Sequence, residues 1–263
     1  KVLDIRRRVL GEEHPSTLNS MSNLANTLHA RGDMARARKL QEKVLEMQRR
    51  VLGDEHPETL ASINNLAQTL QAQGDFAGAR SLHEKALEIF RRVLGKEHPS
   101  TLTSMSNLAQ TLKAQGDLAG ARSLQEKVLE MQRRVLGEEH PDTLTSMNNL
   151  AETLKAQGDL ARARSLQEKV LAMQRSVMGE EHPLTLNSMN NLANTLYAQG
   201  DFAGARSLHE KALEIYRRLL GEEHPNTLNS MNNLAETLKA QGDLAGARNL
   251  QEKVLEMQRR VLG

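Results

Sequence analysis

Six histidines stand 42 residues apart, at His14, His56, His98, His140, His182 and His224, each behind two charged residues such as Glu12-Glu13 or Lys96-Glu97. Carboxylate oxygen beside imidazole nitrogen is the chemistry of a divalent metal site. Each string brings only one histidine, however, and adjacent side chains in a turn do not converge on one ion, whereas zinc wants three or four converging ligands. Capping or loop packing is the favoured role, and no metal is expected. The pair Arg49–Arg50 recurs as Arg91–Arg92, Arg133–Arg134, Arg217–Arg218 and Arg259–Arg260, and is broken at Arg175–Ser176. Such a row can track phosphates, but Glu46 and its equivalents lie within one turn and no aromatics interleave for base stacking. Nucleic acid is not an expected partner.

Catalysis is equally unsupported. Serines recur with Ser20, but one group repeated along a chain does not converge with a base and an orienting group on a substrate. Gly74-Asp75-Phe76-Ala77-Gly78 has no following Lys-Ser/Thr and no preceding strand, so it is no phosphate loop; its Gly78 is expected to permit close helix approach. The reading is a non-enzyme without cofactor. What remains is polar recognition. An asparagine recurs in every repeat, at Asn23, Asn65, Asn107, Asn149, Asn191 and Asn233, doubled by Asn148, Asn190 and Asn232 but interrupted by Ser22 and Ser106. An amide can accept from and donate to a peptide backbone at once, which suits clamping of an extended ligand. The same amides could instead bond the neighbouring helix and hold a stack together; the two roles are compatible. Beside them runs a stripe that varies between repeats, Asn19, Ser22, Asn26, His29 in the first and Thr145, Asn148, Glu152, Lys155 in the fourth. Lys113, Lys155 and Lys239 on this stripe imply a mild preference for an acidic peptide, partly cancelled by Glu152 and Glu236 one turn away.

These residues must be positioned by helices. Pro15 suits the first turn of a helix, and Leu18, Met21, Leu24, Ala25 and Leu28 follow at spacings of three and four. Gly32 stops that helix, and Asp33 can cap the next. In the second helix Ala37, Leu40, Val44, Met47 and Val51 make the apolar stripe, widened by Leu45 and Leu52. Glu46 and Arg50 are spaced for an exposed i,i+4 pair. A Gly-Asp turn leaves no slack, so the helices must pack antiparallel, and neighbouring pairs must stack to bury both faces. All six prolines fall at the 42-residue period, which marks a solenoid rather than separate globular domains. The repeats run 11–52, 53–94, 95–136, 137–178, 179–220 and 221–263, after a partial second helix at 1–10. The chain has no cysteine and a formal charge of +2 with signs interleaved, so neither thiol chemistry nor a strong field toward membranes or nucleic acid is expected. No apolar run approaches the ~18 residues of a membrane span. A variant packing set, Ala86-Ile89-Phe90, stands in the second and fifth repeats where others carry Val128-Met131-Gln132. Trading valine for alanine while gaining a ring conserves local volume.

The pattern resembles the tetratricopeptide repeat. In the fifth repeat Leu192, Ala193, Leu196, Gly200, Phe202, Ala205 and Ala212 fall at that family's signature spacings, although Met189 replaces its tryptophan, Leu196 its tyrosine and Arg217 its closing proline. The strings Asn190-Asn191-Leu192-Ala193, Gln199-Gly200-Asp201, Ala212-Leu213-Glu214-Ile215 and Leu220-Gly221-Glu222-Glu223-His224-Pro225 are similar to the 42-residue branch found in kinesin light chains and bacterial proteins. The resemblance implies an all-α solenoid, a right-handed superhelix with an extended second helix. It also implies protein–protein recognition, usually of an extended peptide on the concave first-helix face, with the groove asparagine touching ligand. A second expectation rests on the ends. Lys1–Leu10 is half a helix and the last helix is complete, with no polar capping repeat. Such ends are self-complementary and predict head-to-tail stacking, suppressible by a charge at Leu255. Cytoplasmic placement is expected, with no targeting segment legible.

Overall fold

A computed structural model describes residues 2–262, in which thirteen α-helices and no strand occur. A short second-type helix, α1 (Val2–Leu10), opens the chain. First helices are α2 (Pro15–Ala30), α4 (Pro57–Ala72), α6 (Pro99–Ala114), α8 (Pro141–Ala156), α10 (Pro183–Ala198) and α12 (Pro225–Ala240). Second helices are α3 (Met34–Leu52), α5 (Phe76–Val93), α7 (Leu118–Leu136), α9 (Leu160–Met178), α11 (Phe202–Leu220) and α13 (Leu244–Leu262). They form two compact bodies, Lys1–Val135 and Leu136–Gly263. In each body helices pack on their sequence neighbours, α2 to α6 in the first and α8 to α13 in the second.

The turns follow from local chemistry. Gly32 takes φ +80, and the Asp33 amide donates to Leu28 O while the Gly32 amide donates to His29 O, both at 2.9 Å. That pair of bonds closes the last turn of the helix through a left-handed glycine. Asp33 then accepts from the Arg36 amide at 3.3 Å, capping α3. Gly78 does not serve an approach between helices, as its position in the sequence would imply. A Cβ there would lie 2.9 Å from the carboxylate of its own cap, Asp75. Where glycine holds this position, at Gly78, Gly120, Gly204 and Gly246, the cap bond is 2.9 Å. At Arg36 and Arg162 it stretches to 3.3 and 3.2 Å, with the guanidinium drawn back onto the cap at 3.4 and 3.8 Å.

Each core cluster spans three helices. Leu45 of α3 joins Leu60, Ile63, Leu66 and Leu70 of α4 and Ala79 and Ala86 of α5. Leu171 of α9 joins α10 and α11, and Leu213 of α11 joins α12 and α13, in the same register. A repeat therefore completes its core with a leucine from the preceding second helix, at about 1.5–3 kcal/mol per buried aliphatic side chain. The apolar stripe is shorter than its spacing implies. Val51, Val93, Val135, Val177 and Leu219, at the ends of the second helices, are all exposed. In the second and fifth repeats the ring of Phe90 or Tyr216 occupies the place of a glutamine, Gln132 in the third, beside Ile89 or Ile215 in the core.

Candidate functional site

The recurrent asparagines lie on the first helices, and the two columns behave differently. In the column Asn23, Asn65, Asn107, Asn149, Asn191 and Asn233, each backbone carbonyl accepts the hydroxyl of the threonine four residues on, at 2.9 to 3.2 Å. Their side-chain amides make no hydrogen bond among the described residues, and five of the six are half-buried. The adjacent column is engaged between helices. Asn148 Nδ2 donates to Ser188 Oγ at 3.2 Å, from α8 to α10. His209 Nδ1 approaches Asn190 Oδ1 at 3.4 Å, from α11 to α10. Asn232 is exposed. The first column thus leaves whole amides free, whereas in the second the Oδ1 atoms of Asn64 and Asn148 are buried without a partner.

On the variable stripe, Lys155 pairs with Glu152 at 3.2 Å and Lys239 stands 4.0 Å from Glu236. Lys113 in the first body carries no ion pair among the described residues and is half-buried. The same position in the fifth repeat holds Tyr197, which the charge pattern alone did not single out. Tyr197 is 38% exposed and meets Phe202 edge-on, with centroids 5.3 Å apart. A signal for it was present, since it is one of only two tyrosines in the chain.

The histidines cap. His14 Nδ1 accepts from the Ser16 amide at 3.1 Å, and the equivalent bonds recur at His56, His98, His140, His182 and His224, at 3.1 to 3.2 Å. An acceptor Nδ1 places the ring proton on Nε2. Among the described residues no group of three or more His, Asp or Glu side chains is arranged to hold a metal. The arginines bind acids rather than present a free row. Arg50 reaches Glu13 of the loop that opens its own repeat, not Glu46, and Arg92–Glu55, Arg134–Glu97 and Arg218–Glu181 repeat this over a 37-residue separation. The i,i+4 pairs form higher on the same helices, as Arg38–Glu42 and Arg80–Glu84, both at 2.8 Å. In the last repeat the local spacing is used instead, and Arg260 takes Glu256 four residues earlier.

Sequence patterns missed a buried polar column on the second helices. Gln41, Gln48, Gln125, Gln132, Gln167 and Gln174 are buried, each with its carbonyl oxygen unbonded. The second and fifth repeats place a histidine and a ring there instead, His83 with Phe90 and His209 with Tyr216. Burial drives both imidazoles down to about 4. Thr111 Oγ1 donates to Asn107 O and accepts from Gln71 Nε2 at 2.7 Å, so its 2.9 Å contact with His83 Nδ1 requires the ring to donate.

Comparison with known proteins adds the following. A sequence model described as tetratricopeptide repeat matches residues 1–49, 16–87, 60–134, 111–176, 153–216 and 184–260. A crystal structure of nearly identical TPR-like repeats, described as a kinesin light chain of Podosopora anserina, is 35% identical over 79% of this chain and 98% of its own, with TM-score 0.71. The structure of BtubC (BKLC) from P. vanneervenii is 26% identical over 88% of this chain and 92% of its own, with TM-score 0.75. A signal-transduction ATPase from Pyrococcus horikoshii with a tetratricopeptide repeat sensor shares the fold at 14% identity, TM-score 0.71, over 98% of this chain and 38% of that one. No curated protein sequence matches.

Proposed function

The chain belongs to the tetratricopeptide repeat family, and from that premise we propose that it is a protein-binding module whose first-helix face holds an extended peptide segment of a partner. The observation that carries this reading is the free amide column. Asn65, Asn107, Asn149, Asn191 and Asn233 are half-buried and spend no side-chain hydrogen bond on the fold. These amides are open to a ligand, and a peptide backbone offers each both an acceptor and a donor. Asn148 and Asn190 hold neighbouring helices and position this face, while Lys113, Lys155, Lys239 and Tyr197 supply its selectivity. The test is the double variant Asn149→Ala/Asn191→Ala. Partner affinity falls by about tenfold or more, while thermal stability stays within about 1 kcal/mol of wild type. Equal loss of both overturns the ligand role in favour of a structural one.

A second reading, end-to-end self-association, has one supporting observation. Leu255 on α13 is 55% exposed, whereas its counterpart Leu213 is 3% exposed and packed in the next core cluster. Sedimentation velocity across a wide concentration range decides it: growth that Leu255→Glu abolishes supports stacking, and a monomer throughout refutes it.

A further inference from the structure

One repeat breaks the charge pattern of the second helices at two coupled positions. Where five repeats carry glutamate (Glu46, Glu88, Glu130, Glu214, Glu256), the fourth has Ala172; where they carry arginine (Arg50, Arg92, Arg134, Arg218, Arg260), it has Ser176. The lost arginine has a known job. In four repeats it neutralises the loop carboxylate 37 residues earlier, as Arg218 does for Glu181 at 2.8 Å. By the same separation Ser176 corresponds to Glu139, which is exposed and makes no ion pair among the described residues. Apolar surface follows Ser176 along the chain. Val177, next in the chain, is 53% exposed. Leu184, also exposed, sits where the other repeats have Ser16, Glu58, Ser100, Asp142 and Asn226.

We propose that Glu139, Ala172, Ser176 and Val177 form a docking site on the second-helix side, which receives a segment of a partner protein carrying an arginine next to an aliphatic side chain. The charge says what the occupant brings. An exposed carboxylate whose intramolecular arginine has been deleted is complementary to a guanidinium from outside, which pairs with it as Arg218 pairs with Glu181. The shape says the rest. Glu at 172 and Arg at 176 being absent, a strip of α9 about one and a half turns long, ~8 Å at 1.5 Å per residue, is uncovered and ends on Val177. Alanine and serine leave room there for a side chain laid against the helix, and Val177 offers it an apolar contact. So small a footprint fits a short segment bound weakly rather than a folded domain. The site is separate from the first-helix face and does not depend on the reading given to that face.

The experiment uses a phage-displayed library of random peptides panned against this chain, with the variant Ala172→Glu/Ser176→Arg for subtraction. That variant installs the pair present in five other repeats, so it folds, and circular dichroism checks that it does. Peptides retained by the wild type and lost from the variant are expected to carry arginine or lysine beside an aliphatic residue. Their affinity is expected to fall about tenfold in Glu139→Gln and to stay unchanged in Asn149→Ala/Asn191→Ala. Peptides that bind wild type and Ala172→Glu/Ser176→Arg alike, or the absence of any that discriminate the two, overturn the proposal.

Discussion

His83 and His209 show most directly how one side chain reads its surroundings. Each is 1% exposed, and burial alone pushes its imidazole from 6.5 down to about 4. The unfolded chain therefore binds protons on these rings at pH values where the folded one does not. Their neutral form is fully accommodated above pH 6.5, and that stability is lost as pH falls from there toward 4, by at most about 1.4 kcal/mol per pH unit for each ring. Chemical denaturation at a series of pH values should show this decline. The variant His83→Gln/His209→Gln should flatten it, since Gln125 and Gln167 occupy the equivalent positions in other repeats. A decline that persists unchanged in the variant would place the acid sensitivity elsewhere. On the surface, Glu12 and Glu180 lie below the usual carboxylate range because Lys43 and Lys211 donate to them. Glu12 is exposed and Glu180 half-buried, and salt should weaken the effect at both.

At the scale of the helix, stability rests on terminal devices repeated without change. A His-Pro pair starts every first helix, a left-handed glycine and an aspartate cap separate it from the second, and another left-handed glycine follows α1, α3, α5, α7, α9 and α11. Gly74 has φ +79 with open space where a Cβ would go, so Gly74→Ala meets no steric clash and isolates the backbone cost. That cost is expected to be about 1 kcal/mol. Asp75→Ala, which strips the cap bond to Gly78, is expected to cost about as much. Thermal melts of the two variants would check both. The pairing of helices was legible from these devices, because each acts over four residues or fewer.

For the molecule as a whole, the contact pattern makes stability a sum of nearest-neighbour terms. In the second body α10 packs on α9 and α11, and its Met189 is fully buried. Met189→Ala should cost about 2–5 kcal/mol locally. Hydrogen exchange should report it as lost protection in α9 to α11, with α2 to α5 in the first body left unchanged. Uniform loss along the chain would mean that all repeats unfold as one cooperative unit.

The sequence alone determined the period, the two helices of each repeat, their caps and the apolar faces. All of these arise from backbone propensities and side chains within one or two turns of each other. What only tertiary structure decided is which partner each polar group takes. Glu46 and Arg50 are suitably spaced along one helix, yet Arg50 spans to Glu13, because packing brings the loop carboxylate within its reach. The two asparagine columns look alike on paper. One turns into the contact between helices, where Ser188 and His209 meet it, and the other is left with its amides free. Adjacent residues lie about 100° apart around a helix, and that rotation separates the two fates.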